Sequence, residues 1–204
     1  MFDLRSGAIL SLWRDAASSP SAWFWSAATG WRRLVGPTGL AEACYPYGMN
    51  DQQEIVGRCG TAYLHWASPT SVPIAIQASG GAPVSLGGIN NAGVIVGAYT
   101  SGRTTRAARW MPDGAGGWTM QDLGLVGGAG GINDEGGITV GYNGKAWYVA
   151  PDGGITELDP LSRSGGAMIY AATPGNRSAD GVTWIVGYAT ATQNGPNRAL
   201  WWRR

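Results

Sequence analysis

Gly130-Gly131-Ile132-Asn133-Asp134-Glu135-Gly136-Gly137-Ile138-Thr139-Val140-Gly141-Tyr142 decides how the chain is read, because the chain repeats it. Leu86-Gly87-Gly88-Ile89-Asn90-Asn91-Ala92-Gly93-Val94-Ile95-Val96-Gly97-Ala98-Tyr99 is the same phrase. Tyr47-Gly48-Met49-Asn50-Asp51-Gln52-Gln53-Glu54-Ile55-Val56-Gly57 is a third copy, and Asp180-Gly181-Val182-Thr183-Trp184-Ile185-Val186-Gly187-Tyr188 keeps the second half. Each copy predicts a short strand, an Asn/Asp/Gly turn and a β-branched strand ending in glycine, which together make a β-hairpin. Ala8-Ile9-Leu10-Ser11-Leu12 is a degenerate earlier copy, with Ser11 in the glycine place. Counted on Ser11, Gly57, Gly97, Gly141 and Gly187, the units recur at 46, 40, 44 and 46 residues.

A third strand follows each hairpin, small at its start and aromatic at its end in most copies. It reads Ala22-Trp23-Phe24-Trp25, Tyr63-Leu64-His65-Trp66, Ala107-Ala108-Arg109-Trp110, Ala146-Trp147-Tyr148-Val149 and Ala199-Leu200-Trp201-Trp202. Four units add a fourth strand, at 30–34, 72–76, 118–123 and 155–158, behind turn signals such as Pro112-Asp113-Gly114 and Pro151-Asp152-Gly153-Gly154. Four short antiparallel strands per roughly 40–45 residues is the arithmetic of a propeller blade. The expectation is an all-β chain forming one five-bladed β-propeller, in units of about 1–40, 41–81, 82–125, 126–163 and 164–204. A solenoid would ordinarily need a shorter period, and a sandwich would not need one turn phrase every 44 residues. The fifth unit stops before a fourth strand. Residues 1–5 can complete either the first blade or the last; pairing of the two termini would fasten the ring without leaving sticky edges.

Fourteen Lys and Arg stand against thirteen Asp and Glu, a net charge of +1, which argues against nucleic acid or anionic membrane as partner. Charged residues make up only 13%, while 34 residues are Gly and 11 are Trp; the apolar share of 44% argues against disorder. No run approaches the ~18 apolar residues of a membrane span. The first fifteen residues do not have the pattern of a signal peptide, because the apolar stretch is short and Asp3 precedes Arg5.

The phrase Gly-Ile-Asn-Asp-x-Gly, then Val-Val-Gly, then Ala-Phe-Leu-Trp, then a strand ending Asp-Leu-Gly, resembles the HAF repeat of bacterial extracellular proteins. Gly131-Ile132-Asn133-Asp134, Gly88-Ile89-Asn90-Asn91, Ala199-Leu200-Trp201-Trp202 and Gln121-Asp122-Leu123-Gly124 carry the likeness. It covers all five units, the first and last in degenerate form. It implies a propeller-like fold and an extracellular or cell-surface setting, and assigns no chemistry. In architecture alone the expected fold is similar to five-bladed lectin propellers of the tachylectin type, an analogy of shape.

Cys44 and Cys59 flank the Asn50–Gln53 turn symmetrically, so they face each other across the hairpin within reach of a disulfide. Two buried thiols are the alternative. A bridge would imply an oxidising compartment. His65, the sole histidine, has no Cys or acidic cluster beside it in sequence and is expected to be a surface or interstrand residue. Asp51, Asp113, Asp134, Asp152 and Asp180 sit in turns, where they bond nearby backbone N–H groups. The spacing lacks the alternating oxygen ligands of a calcium loop, so no metal or cofactor is expected. Gly127-Gly128-Ala129-Gly130-Gly131 has no Lys-Ser/Thr after it and is no phosphate loop; it suits close passages near a crowded axis.

Trp25, Trp66, Trp110 and Trp202 recur at one blade position and are expected to pack blade against blade. Trp31, Trp118 and Trp184, with Tyr99, Tyr142 and Tyr188, fall on other strands or strand ends. They are the candidates for reaching a rim or an inter-blade groove, where an aromatic face beside Asn, Gln or Arg suits a sugar ring. The expected function is non-catalytic recognition of a glycan or cell-surface ligand. The alternative is a structural or protein-interaction module of a larger extracellular or phage-type assembly. A glycoside hydrolase comes last, because two facing carboxylates are not evident.

Overall fold

The computed structural model describes residues 2–5, 7–13, 20–39, 43–158, 168–190 and 197–204; side chains of 2–5, 79, 168–173 and 197 are not described. It is all strand. The first sheet runs β1 (Phe2–Arg5), β2 (Ala8–Trp13), β3 (Ser21–Ser26), β4 (Gly30–Arg33). The second runs β5 (Cys44–Met49), β6 (Ile55–Cys59), β7 (Ala62–Trp66), β8 (Ile74–Ala75). The linker strand β9 (Ala78–Ser79) leaves the second unit to pair parallel with the outer edge of the third sheet, β10 (Ser85–Ile89), β11 (Ile95–Ser101), β12 (Thr104–Pro112), β13 (Trp118–Val126). The fourth sheet is β14 (Gly128–Ile132), β15 (Ile138–Tyr142), β16 (Lys145–Val149), β17 (Ile155–Leu158); the fifth is β18 (Met168–Pro174), β19 (Trp184–Thr190), β20 (Asn197–Arg203).

The repeated phrase builds the same hairpin three times. A short turn follows Asn50, Asn90 and Asn133, and its third residue has positive φ (Gln53 63°, Gly93 72°, Gly136 88°). The first strand of each hairpin then carries a bulge, between Pro46 and Gly48, Leu86 and Gly88, and Ala129 and Gly131. The bulge explains the glycine that closes the β-branched strand: a Cβ on Gly97 would come 2.0 Å from the Ser85 carbonyl oxygen. A Cβ on Gly87 would likewise meet the Ala129 carbonyl at 2.2 Å, where the first strands of neighbouring sheets approach. Cys44 and Cys59 are register partners joined as a disulfide, buried against the first sheet.

The turn asparagines do more than hold their own turns. Each Oδ1 accepts from the backbone N–H four residues on: Glu54 at 2.9 Å, Val94 at 3.0 Å, Gly137 at 2.6 Å. Each Nδ2 donates to the next unit, Asn50 to the Asn90 carbonyl (3.1 Å), Asn90 to that of Asn133 (3.1 Å), Asn133 to that of Gly175 (2.9 Å). The residue after each asparagine repeats the link, the N–H groups of Asp51, Asn91 and Asp134 donating to the side chains of Asn91, Asp134 and Asn176. Asn50, Asn90 and Asn133 are buried, and their polar groups are satisfied across this belt, as burial demands.

Sheets pack face to face in chain order. On each sheet one face, here called leading, meets the preceding sheet, and the trailing face meets the following one. Ile55 and Trp66 lead in the second sheet, packing on Leu10 and Phe24 of the first. Ile95 and Trp110 lead in the third, against Val56. Ile138 leads in the fourth against Val96, and Ile185 in the fifth against Tyr148 and Leu158. Trp66 and Trp110 are fully buried and donate Nε1–H to carbonyls of the preceding linker, Val35 at 2.8 Å and Gly81 at 2.9 Å. These two fill the blade-packing role expected of them.

Five sheets thus make four core interfaces, and among the described residues no buried cluster joins the fifth sheet to the first. The expected pairing of the termini is also not formed among the described residues. Phe2–Arg5 pairs instead with Ala8–Ser11 about a tight turn at Gly7 (φ 72°), and the fifth sheet has three strands among the described residues. Local closure costs less chain entropy than joining ends some two hundred residues apart. The expected boundary after residue 81 also shifts, since Ala78–Ser79 belongs to the third sheet; those at 40 and 163 lie outside the described residues.

Candidate functional site

The six aromatic residues singled out from sequence do not converge on one site. Trp118 is largely buried, packed edge to face on His65 with ring centroids 5.2 Å apart, where it lines the groove between the second and third sheets; its backbone pairs with the parallel strand Ala78–Ser79. Tyr99 is half-buried toward the other end of the same sheet and donates its hydroxyl to Asp122 Oδ2 at 3.0 Å. Tyr142 is exposed at the end of β15. The remaining three lie on the two terminal sheet faces.

The trailing face of the fifth sheet carries Trp184, Val186, Tyr188 and, across the ladder from Val186, Trp201. Val186 holds the place of Val56, Val96 and Thr139, which are at most 1% exposed, yet it is 56% exposed. Trp201 stands where His65 (8%) and Tyr148 (6%) stand, and is 67% exposed. Trp184 and Trp201 touch edge to face at 5.2 Å. At the other end, the leading face of the first sheet shows Trp13, 6.0 Å from Trp23 and 5.8 Å from Trp31. Trp13 and Trp31 are both exposed, Trp13 in the place that the buried Cys59 takes on the leading face of the second sheet.

Two grooves open between sheets at the end that carries the asparagine turns. One, about 570 Å³, lies between the first and second sheets beside Arg32, Gln53 and Thr70. The other, about 340 Å³, lies between the second and third and contains an arrangement the sequence reading passed over. His65 Nε2 lies 3.4 Å from Glu54 Oε1, and Glu54 Oε2 accepts from Asn50 Nδ2 at 2.5 Å. Burial lowers the His65 pKa and outweighs the opposing pull of Glu54, which favours the neutral imidazole. Ile74 and Pro112 form apolar walls, and the 113–117 hairpin tip exposes glycine backbone. Asp113 Oδ1 accepts from the N–H groups of Ala115 and Gly117, which hold its carboxyl below the usual range; this carboxylate is engaged by the turn. The signal in sequence was a double departure from the repeat: Glu54 stands where the other units have Val94 and Gly137, and His65 where they have Arg109 and Tyr148.

Among the described residues no three His, Cys, Asp or Glu side chains gather as a metal site, and no helix is long and apolar enough to cross a membrane.

The chain matches no protein-family model and no curated protein sequence. Solved structures do match. A chain of the nidogen/laminin complex aligns at a TM-score of 0.56 and 12% identity, over 98% of this chain and 77% of that one. A streptogramin B lyase aligns at 0.51 and 11%, over 95% and 76%. Both are β-propellers, and at these identities they establish the fold: this is an all-β protein of the propeller-like class.

Proposed function

We propose that this chain recognises ligands without transforming them, and that the groove between the second and third sheets takes a glycan of one or two sugar units. The observation that carries the reading is the Glu54–His65 pair. A fixed acceptor and a neutral imidazole stand beside apolar walls and bare glycine backbone, in a volume suited to a small ligand. Sugar hydroxyls would bond the polar pair while a C–H face rests on Ile74 and Pro112. Among the described residues lining the groove, Glu54 is the one carboxylate, and a glycoside hydrolase would need a facing pair, which favours binding over hydrolysis. The setting we infer is extracellular or cell-surface, in keeping with the HAF-like repeat and with a disulfide that oxidising conditions preserve.

A glycan array followed by calorimetry tests this. Glu54→Gln should weaken the best hit about 10-fold or more, the cost of one charge-assisted hydrogen bond. An array without hits, or a variant that binds as tightly as the parent, would refute it. A second reading, a protein-interaction module, is favoured by the exposed aromatic residues on the two terminal sheets, which form clusters rather than isolated apolar residues.

A further inference from the structure

We propose that the exposed trailing face of the fifth sheet receives the exposed leading face of the first sheet of a second copy, so that this chain associates head to tail. The inference gives the protein-interaction reading its partner and is independent of the glycan groove.

The chain itself supplies the template. Four times over, the trailing face of one sheet is buried by the leading face of the next. The trailing face left bare is that of the fifth sheet, with Trp184, Val186 and Trp201; the leading face left bare is that of the first, with Trp13 and Trp31. The equivalents of Val186 (Val56, Val96, Thr139), Cys59 in the place of Trp13, and His65 and Tyr148 in the place of Trp201 are buried, so these side chains have the character of core without its cover. The two faces are of opposite kind. A symmetric contact would set trailing on trailing or leading on leading, a pairing that occurs at none of the four interfaces. The repeated interface therefore continues across a heterologous contact, which closes into a ring or grows as an open chain according to its rotation.

A separate observation points to the same two faces. Ser11 Oγ and Thr190 Oγ1 are buried without a hydrogen-bond partner among the described residues. By strand alternation Ser11 lies on the leading face of the first sheet with Trp13, and Thr190 on the trailing face of the fifth with Val186. Unsatisfied buried hydroxyls are uncommon, and these two belong to the same two faces, although each is already covered within the single chain.

Sedimentation velocity over a concentration series tests this. The expected result is a mass that rises with concentration from 21.3 kDa through twice that value and beyond. Trp13→Glu and Trp201→Glu should each hold the protein at the monomer mass. Mixed, they should form a 1:1 dimer that grows no further, because one variant keeps an intact fifth sheet and the other an intact first. Val186→Lys serves as a second fifth-sheet variant, and circular dichroism verifies that each variant is folded. A parent chain that stays monomeric at every concentration would overturn the proposal. So would association lost in only one of the two variants, or variants that fail to complement when mixed.

Discussion

Asn90 has one of the heaviest duties of any side chain in the molecule. Its Oδ1 accepts from Ala92 and Val94, and its Nδ2 bonds the carbonyl of the neighbouring turn, all in a buried setting. Asn90→Ala leaves the Ala92 and Val94 N–H groups without their partner, removes one of two bonds to the Asn133 carbonyl, and should cost about 2 kcal/mol, measured by chemical denaturation. A loss under about 1 kcal/mol would mean that the belt is ornamental. His65 gives the pH dependence. Its folded pKa lies below the unfolded value, so the unfolded chain binds the proton more readily. Stability is intact above about pH 6.5 and declines as pH falls toward the folded pKa. A His65→Gln chain should lose that component of the acid slope in thermal melts from pH 7 to 5. What sequence could not supply at this scale is the company each residue keeps. Trp118, a candidate for a rim or an inter-blade groove, does line the groove between the second and third sheets, but its packing on His65 and the two-residue parallel strand beside it left no periodic signal. The Glu54–His65 pair joins a turn to a third strand, which only the folded register brings together.

Among the elements, the bulged hairpin explains why glycine closes the second strand by steric necessity at Gly57 and Gly97, while at Gly141 a Cβ would have room. Gly97→Ala places a Cβ on the Ser85 carbonyl and should destabilise by about 3 kcal/mol or more, whereas at Gly141 the nearest atom is 3.9 Å away. Gly141→Ala should change stability by no more than about 0.5 kcal/mol in the same denaturation assay. Equal effects at both sites would refute the bulge as the cause. The disulfide belongs to the same hairpin. Closing a segment of 15 residues, it should contribute about 3 kcal/mol, seen as a lowered melting temperature on reduction. Hairpins, turns and the strands of each sheet were legible from the repeat, because turn chemistry and alternation act locally. The cysteine register was legible through two offsets that cancel. The ladder nearest the turn pairs Met49 with Ile55, one step off the symmetric count, and the bulge at Tyr47 restores it before Cys44.

For the whole molecule, what matters is how the five sheets follow one another. The class of fold was visible in a period of 40 to 46 residues, since no single sheet of this pattern can cover both its faces. Whether the terminal strand would pair locally or across the ring was not visible, because strand count is the same either way. The outcome was set by a glycine turn that folds Phe2–Arg5 back onto its neighbour. The aromatic surplus then acquires a physical meaning: tryptophans inside the stack weld sheets together, and those at its two ends present the same kind of surface to solvent. Hydroxyl-radical footprinting of dilute protein, read tryptophan by tryptophan, tests that arrangement most directly. Trp13, Trp31, Trp184 and Trp201 should oxidise rapidly, while Trp66, Trp110 and Trp118 stay protected. Protection of Trp13 and Trp201 to the level of Trp66, or rapid oxidation of Trp66 and Trp110, would contradict it.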